Sequence, residues 1–140
     1  MKFLIFLFNA VVATFIRFDV HFICSLKTTK DFNTEIRFFD TDVISGDDLI
    51  GGTFDIIGST EILDNHLTAT GYLDSDELFS SGYYIKALIR HDCTDDRSLA
   101  KLVWHISPPC EFHIFCRYTI KRNITNEAGV HYMTAEFYYE

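Results

Sequence analysis

Residues 15–24 read FIRFDVHFIC, in which Ile16, Phe18, Val20 and Phe22 alternate with Arg17, Asp19 and His21. Successive side chains of an extended strand point to opposite faces. A period of two therefore gathers the apolar residues on one side, which a helix with its period of 3.6 cannot do. The same alternation recurs in TEIRFFD (34–40), GTFDIIG (52–58), HLTATGYL (66–73), YYIKALIRH (83–91), Lys101 to Ile106, EFHIFCRYTI (111–120) and VHYMTAEFYY (130–139). No window carries a helical stripe bounded by caps. The spacing predicts an all-β fold of seven or eight short antiparallel strands, most economically a two-sheet sandwich. The expected breaks are LKTTKDFN (26–33), residues 59–65, the acidic loop DSDELFSS (74–81), the Pro108-Pro109 pair, which stops the strand before it, and NITNEAG (123–129).

A chain of 140 residues suits one domain, and its 48% hydrophobic content with 14 Phe and 7 Tyr is too apolar for disorder. The first residues, MKFLIFLFNAVVA, have one Lys, an apolar run and small residues at Ala10 and Ala13, the layout of a secretory signal peptide. The run is shorter than the roughly 20 residues that a membrane-spanning helix needs. Residues 1–13 are read as the signal and 14–140 as a single domain, which implies an extracellular location. Loss of Lys2 leaves 20 acidic against 11 basic residues. That excess repels phosphate backbones and argues against a nucleic-acid partner.

Four cysteines, Cys24, Cys93, Cys110 and Cys116, are an even number in a small exported domain, so disulfides are expected, with three pairings open. Cys24 is expected to join a cysteine in the second half of the chain. A zinc reading of Cys110, His113 and Cys116 is disfavoured, because CEFHIFCRYTIK has strand composition and would turn His113 to the face opposite the two sulfurs. Read as one strand, the segment does not pair Cys110 with Cys116. Export also makes Asn123, in Asn123-Ile124-Thr125, a glycan acceptor.

Catalytic signals are sparse. His91-Asp92-Cys93 holds the residue types of a thiol nucleophile and its base, but neighbours on an extended chain face opposite ways and a disulfide would consume the thiol. No nucleophile elbow, H-E-x-x-H pair or phosphate loop is present, so the chain is not read as an enzyme. Residues 38–52, FFDTDVISGDDLIGG, place Asp40, Asp42 and Asp48 where carboxylates could meet one calcium ion, otherwise forming a polar hairpin connection. Their spacing resembles one calcium loop of the phospholipid-binding sandwich domains of the protein-kinase-C type. Those domains draw further ligands from an earlier loop that is not evident here. A calcium-dependent phospholipid-binding module is the alternative function, and no other cofactor is implied. The aromatic C-terminal strand, with Tyr132, Phe137, Tyr138 and Tyr139, offers a contact surface, although core packing is the ordinary fate of such residues.

A second resemblance spans more of the chain, from about Phe15 to Cys93. A hydrophobic strand ending in Cys24, then TEIRFFDTD with DDLI behind it, then LIRHDC at 88–93, resembles the nematode transthyretin-like secreted proteins. HLTATGYL matches that family's T-D-x-x-G-x-F at Thr68, Gly71 and Leu73, or else GTFDIIGSTE matches its G-x-F-x-L-x-G-x-x-x-E. Arg90 stands where the family has an aromatic, and the K-P-C that follows its H-D-C is missing. The resemblance implies a transthyretin-like, prealbumin-type β-sandwich in an extracellular binding protein. Its partner would be an extracellular protein or a small apolar or lipid ligand, with a homo-oligomer compatible. The related hydroxyisourate hydrolases end in Tyr-Arg-Gly-Ser, whereas this chain ends AEFYYE, so their activity is not implied.

Overall fold

The alternation at residues 15–24 becomes β1 (Ala13–Ile23), which buries Ile16, Phe18, Val20 and Phe22 as the pattern requires. The computed structural model describes residues 13–27, 31–42, 46–58, 64–74, 82–111 and 115–139. Among them the chain forms β2 (Asp31–Asp42), β3 (Gly46–Gly58), β4 (Asp64–Asp74), β5 (Gly82–His91), β6 (Ala100–Glu111), β7 (Cys116–Asn123), β8 (Gly129–Thr134) and β9 (Glu136–Tyr139), with no helix. These strands make two sheets, ordered β4-β1-β7-β9 and β3-β2-β5-β6-β8, and the fold is a β-sandwich.

One core lies between the sheets. Phe18 of β1 stacks on Phe38 of β2 at 3.7 Å between ring centroids, and Phe22 meets the fully buried Trp104 of β6 at 5.6 Å. The sandwich is pinned at both ends. Cys24, just past β1, bonds Cys93, just past β5, and at the opposite end Cys110 in β6 bonds Cys116 at the start of β7. Each bridge joins one sheet to the other.

Several expectations need correction. Strand pairing is not wholly antiparallel, because β1 runs parallel to β7 and β6 parallel to β8. The chain leaves β6 for the other sheet, returns as β7, and crosses back, so β8 arrives in the direction of β6 and no tight hairpin forces reversal. The segment 130–139 is two strands. It breaks at Ala135, whose N–H donates to the Ser107 carbonyl at 2.9 Å as the chain passes from the five-stranded to the four-stranded sheet. The stretch 111–120 is likewise not one strand, since β6 ends at Glu111 and β7 starts at Cys116, which brings Cys110 and Cys116 together against the expectation that they would not pair. The zinc reading fails with it, because both sulfurs are consumed; His113 lies outside the described residues, as does most of the acidic loop 74–81.

Pro108 and Pro109 do not stop β6 either. Between the pairs Ile85↔Ile106 and Tyr83↔Cys110, Tyr84 alone stands opposite Ser107, Pro108 and Pro109. The prolines occupy a bulge, where no ladder N–H is asked of them, and β8 has already ended opposite Ser107. The Ser107-Pro108 peptide is cis. The buried Tyr118 hydroxyl of β7 donates to the Pro108 carbonyl at 2.6 Å and so ties the bulge to the other sheet. Burial also pushes this phenol well above its ordinary range.

Candidate functional site

The residues that sequence reasoning offered for chemistry are mostly occupied in holding the fold. Cys93 is in a disulfide. His91 is fully buried; its Nδ1 accepts the Cys93 N–H at 3.1 Å, so its Nε2 carries the proton and donates to the Glu127 carbonyl at 2.8 Å. Asp92 accepts from the Asn33 backbone N–H at 2.7 Å, the Asn33 amide at 2.6 Å and Arg97 at 3.2 Å, welding the start of β2 to the loop after β5. Asn123 is exposed at the end of β7, its carbonyl accepting from the Thr125 N–H and hydroxyl at 3.1 and 2.7 Å, and its amide donating to Ser25 at 2.7 Å.

His91 carries a testable consequence. Burial disfavours its charged form and holds the imidazole below the ordinary value of 6.5, against the raising influence of the Glu127 carbonyl and of the Asp92 and Glu127 charges. Below pH 6.5 the unfolded chain takes up a proton that the folded chain resists, so stability is full above that pH and falls as pH drops through it. Thermal unfolding between about pH 5 and 8 should show this loss, and His91→Gln, which keeps one acceptor and one donor, should flatten it. An unchanged slope in that variant would contradict the role given to His91.

The acidic stretch 38–52 is the tip of the β2–β3 hairpin, with Asp40 opposite Asp48 and Asp42 opposite Gly46. Asp40 belongs to the inward face of β2, following Phe32, Thr34, Ile36 and Phe38, and is buried. Its Oδ1 accepts the Tyr84 N–H at 3.1 Å, the backbone donor at the centre of the β5–β6 bulge. The contact is not the local one expected of a hairpin turn, since its donor lies 44 positions along the chain. The side chains of Asp42 and Asp48 lie outside the described ones, and among the described residues no group of three or more acids, histidines or cysteines could hold a metal ion.

The bulge shapes what the chain does offer to a partner. A groove of about 670 Å³ opens beside it on the outer face of the five-stranded sheet, lined among the described residues by Tyr84, His105, Ser107, Pro109, Tyr132 and Thr134, with Ile85 and Ile106 beneath it turned into the core. Its volume falls in the ordinary range for small-molecule sites. Tyr132 is 81% exposed and stacks on His105 at 4.7 Å, and Tyr84 is 54% exposed. Three hydroxyls also line it. Ser107 donates to the Met133 carbonyl at 3.1 Å and meets the Thr134 hydroxyl at 3.1 Å, whereas Thr41 Oγ1, closed off from solvent, has no hydrogen-bond partner among the described residues. Of the aromatic residues expected at the C-terminus, Phe137 packs on the core against Tyr118 at 4.9 Å, but Tyr132, Tyr138 and Tyr139 are exposed rather than buried.

Sequence reasoning found only Tyr132 of this groove. Thr41, Tyr84, His105 and Ser107 come from three strands and meet only through the cross-strand register, which no single window reveals. A signal did exist: Tyr84 and Tyr132 occupy the outward positions of alternating strands, where polar residues are the rule. Neither the scan against protein-family models nor the search of curated proteins finds a match to the chain, so its functional reading rests on this geometry and on the motifs of the sequence.

Proposed function

We propose that the chain is an exported extracellular binding protein of the transthyretin-like type, working without a chemical step, and that its ligand site is the groove beside the β5–β6 bulge. The observation that carries this reading is the groove itself, bordered by two exposed tyrosines on the outer face of the sheet, since a polar outer face is what a sandwich needs merely to stay soluble. Two disulfides across a small sandwich suit an oxidising compartment, and the Cys24–Cys93 bridge joins two of the motifs that carry the family resemblance. Among the described residues β1 begins at Ala13, the last residue of the segment read as the signal. Asn123 is exposed for a glycan.

Expression of the full chain in a secreting eukaryotic host tests this. The expected product is a disulfide-bonded protein in the medium that begins near Thr14 and whose native mass spectrum carries a small-molecule adduct, lost in Tyr132→Ala. An intracellular product with four alkylatable thiols would overturn the exported reading, and an adduct untouched by Tyr132→Ala would overturn the groove.

A further inference from the structure

The glycan acceptor and the longer disulfide loop meet at one end of the sandwich. Asn123-Ile124-Thr125 is the one Asn-x-Ser/Thr triplet of the sequence, and each of its residues is tied to a bridge cysteine or to a chain neighbour of one. Ile23 stands opposite Asn123 in the β1–β7 register, and the Ile124 N–H donates to the Ile23 carbonyl at 2.9 Å. On the other side of Cys24, the Ser25 hydroxyl accepts from the Asn123 amide at 2.7 Å, and the Ser25 N–H donates to Thr125 Oγ1 at 2.8 Å. Thr125 Oγ1 also lies 3.7 Å from Cys93 Sγ, and the next residue, Asn126, donates its N–H to the Cys93 carbonyl at 2.8 Å. Ile124 is fully buried, as is Cys93, and Cys24 is nearly so.

Exposure of Asn123 gives a finished glycan room, but its transfer makes a further demand. An acceptor rule that specifies Ser or Thr two positions on means that the transferring enzyme reads the hydroxyl together with the amide. Here both are engaged. Freeing them breaks the bonds to Ile23 and Ser25 and bares Ile124, which is a local unfolding of the end that the Cys24–Cys93 bridge pins.

We infer that Asn123 accepts its glycan only before the Cys24–Cys93 bridge closes, so that this disulfide decides whether the site can still be modified. In the open chain Asn123 Nδ2 bonds to the anomeric carbon of a lipid-pyrophosphate-linked oligosaccharide. The bond from that carbon to the pyrophosphate oxygen breaks, the lipid pyrophosphate leaves with the electron pair, and one Nδ2 proton passes to a base of the enzyme. Closure is thiol–disulfide exchange, in which the two thiols are oxidised as a disulfide of the exporting compartment is reduced to a dithiol. The Nδ2–H that remains suffices for the bond to Ser25, so the modified chain can still close. This inference rests on the exported reading above and adds an order of events to it.

The test offers the full chain, made without a glycan and refolded with both bridges, to detergent-solubilised oligosaccharyltransferase and its lipid-linked donor, with the modified fraction read by mass spectrometry. The oxidised chain should be modified at least about tenfold more slowly than the reduced and alkylated chain. Cys24→Ser with Cys93→Ser should bring the rate close to that of the reduced chain. Cys110→Ser with Cys116→Ser, which leaves the longer loop closed, should stay close to the oxidised rate. Mere loss of stability would free the site in both double variants, so the split between them assigns the closure to one bridge. Equal rates for the oxidised and reduced chains, equal release by the two double variants, or product in Asn123→Gln would each overturn the inference. The solubilised enzyme requires no import, which separates this result from export. A refractory oxidised chain in a protein that the secreting host retains would remove the exported reading and keep the closure; an exported glycoprotein whose oxidised form accepts as readily as its reduced form would do the reverse.

Discussion

Replacing Cys24 and Cys93 together by alanine should lower the unfolding free energy by about 4 kcal/mol, and replacing Cys110 and Cys116 together by only about 2 kcal/mol. The two bridges have similar surroundings, each fully or almost fully buried and each joining the two sheets. They differ in the chain that they close, with sequence separations of 69 and 6. Cross-linking removes more freedom from the unfolded chain when the loop is long, and that difference alone sets the expected order. Urea unfolding of the two double variants, with the denaturant slope checked for a changed unfolded state, measures it. Equal losses, or a larger loss from the short loop, would mean that native packing at the sulfurs outweighs chain entropy.

Phe18→Ala should cost about 3–5 kcal/mol. Phe18 is fully buried on β1, which lies between β4 and β7, and its ring lies face to face with Phe38 of β2, also an interior strand, at an interplanar angle of 3°. Tyr118 is stacked beside it at 5.4 Å. Truncation removes the contact that seats one sheet on the other and leaves a cavity bounded by two rings that the disulfides at either end keep from closing up. Phe18→Leu should cost less than half as much, because most of the volume is kept. A loss below about 1 kcal/mol for Phe18→Ala would contradict this placement of the core.

How much of this was legible in the sequence follows from what is local and what is not. Ile16, Phe18, Val20 and Phe22 declared their face because alternation is a property of neighbouring residues, and Ile36 and Phe38 of β2 did the same, whereas Phe32 fell in the segment read as a break and belongs to β2, which starts at Asp31. The cross-link of Cys24 to a later cysteine was expected from number and compartment. The Cys110–Cys116 bridge was not, because residues 110–121 have unbroken strand composition and nothing in them announces a reversal. Pro108 and Pro109 misled for a related reason: a proline ends a strand only if its missing N–H is needed, and the bulge opposite Tyr84 removes that need. Ala135 divides the last strand without any turn residue, since the change of sheet is imposed by the edges on which β8 and β9 find space. Asp40 drew attention as a possible cation ligand, yet its Oδ1 serves the Tyr84 backbone, a partner 44 positions away. The groove shares that non-local origin, since Thr41, Tyr84, Ser107 and Tyr132 become neighbours only once the order β2-β5-β6-β8 is set.

Binding at that groove is most directly tested by the amide spectrum of isotopically labelled protein titrated with the uncharged aromatic probe 1-N-phenylnaphthylamine. The shifts should move at Thr41, Tyr84, Ile106, Tyr132 and Thr134 and saturate with one affinity. Residues on the outer face of the four-stranded sheet, where Asp19 pairs with Arg17 and Arg117, should stay in place. Shifts centred on that opposite face, or a spectrum that does not change, would contradict the assignment of the groove as the binding site.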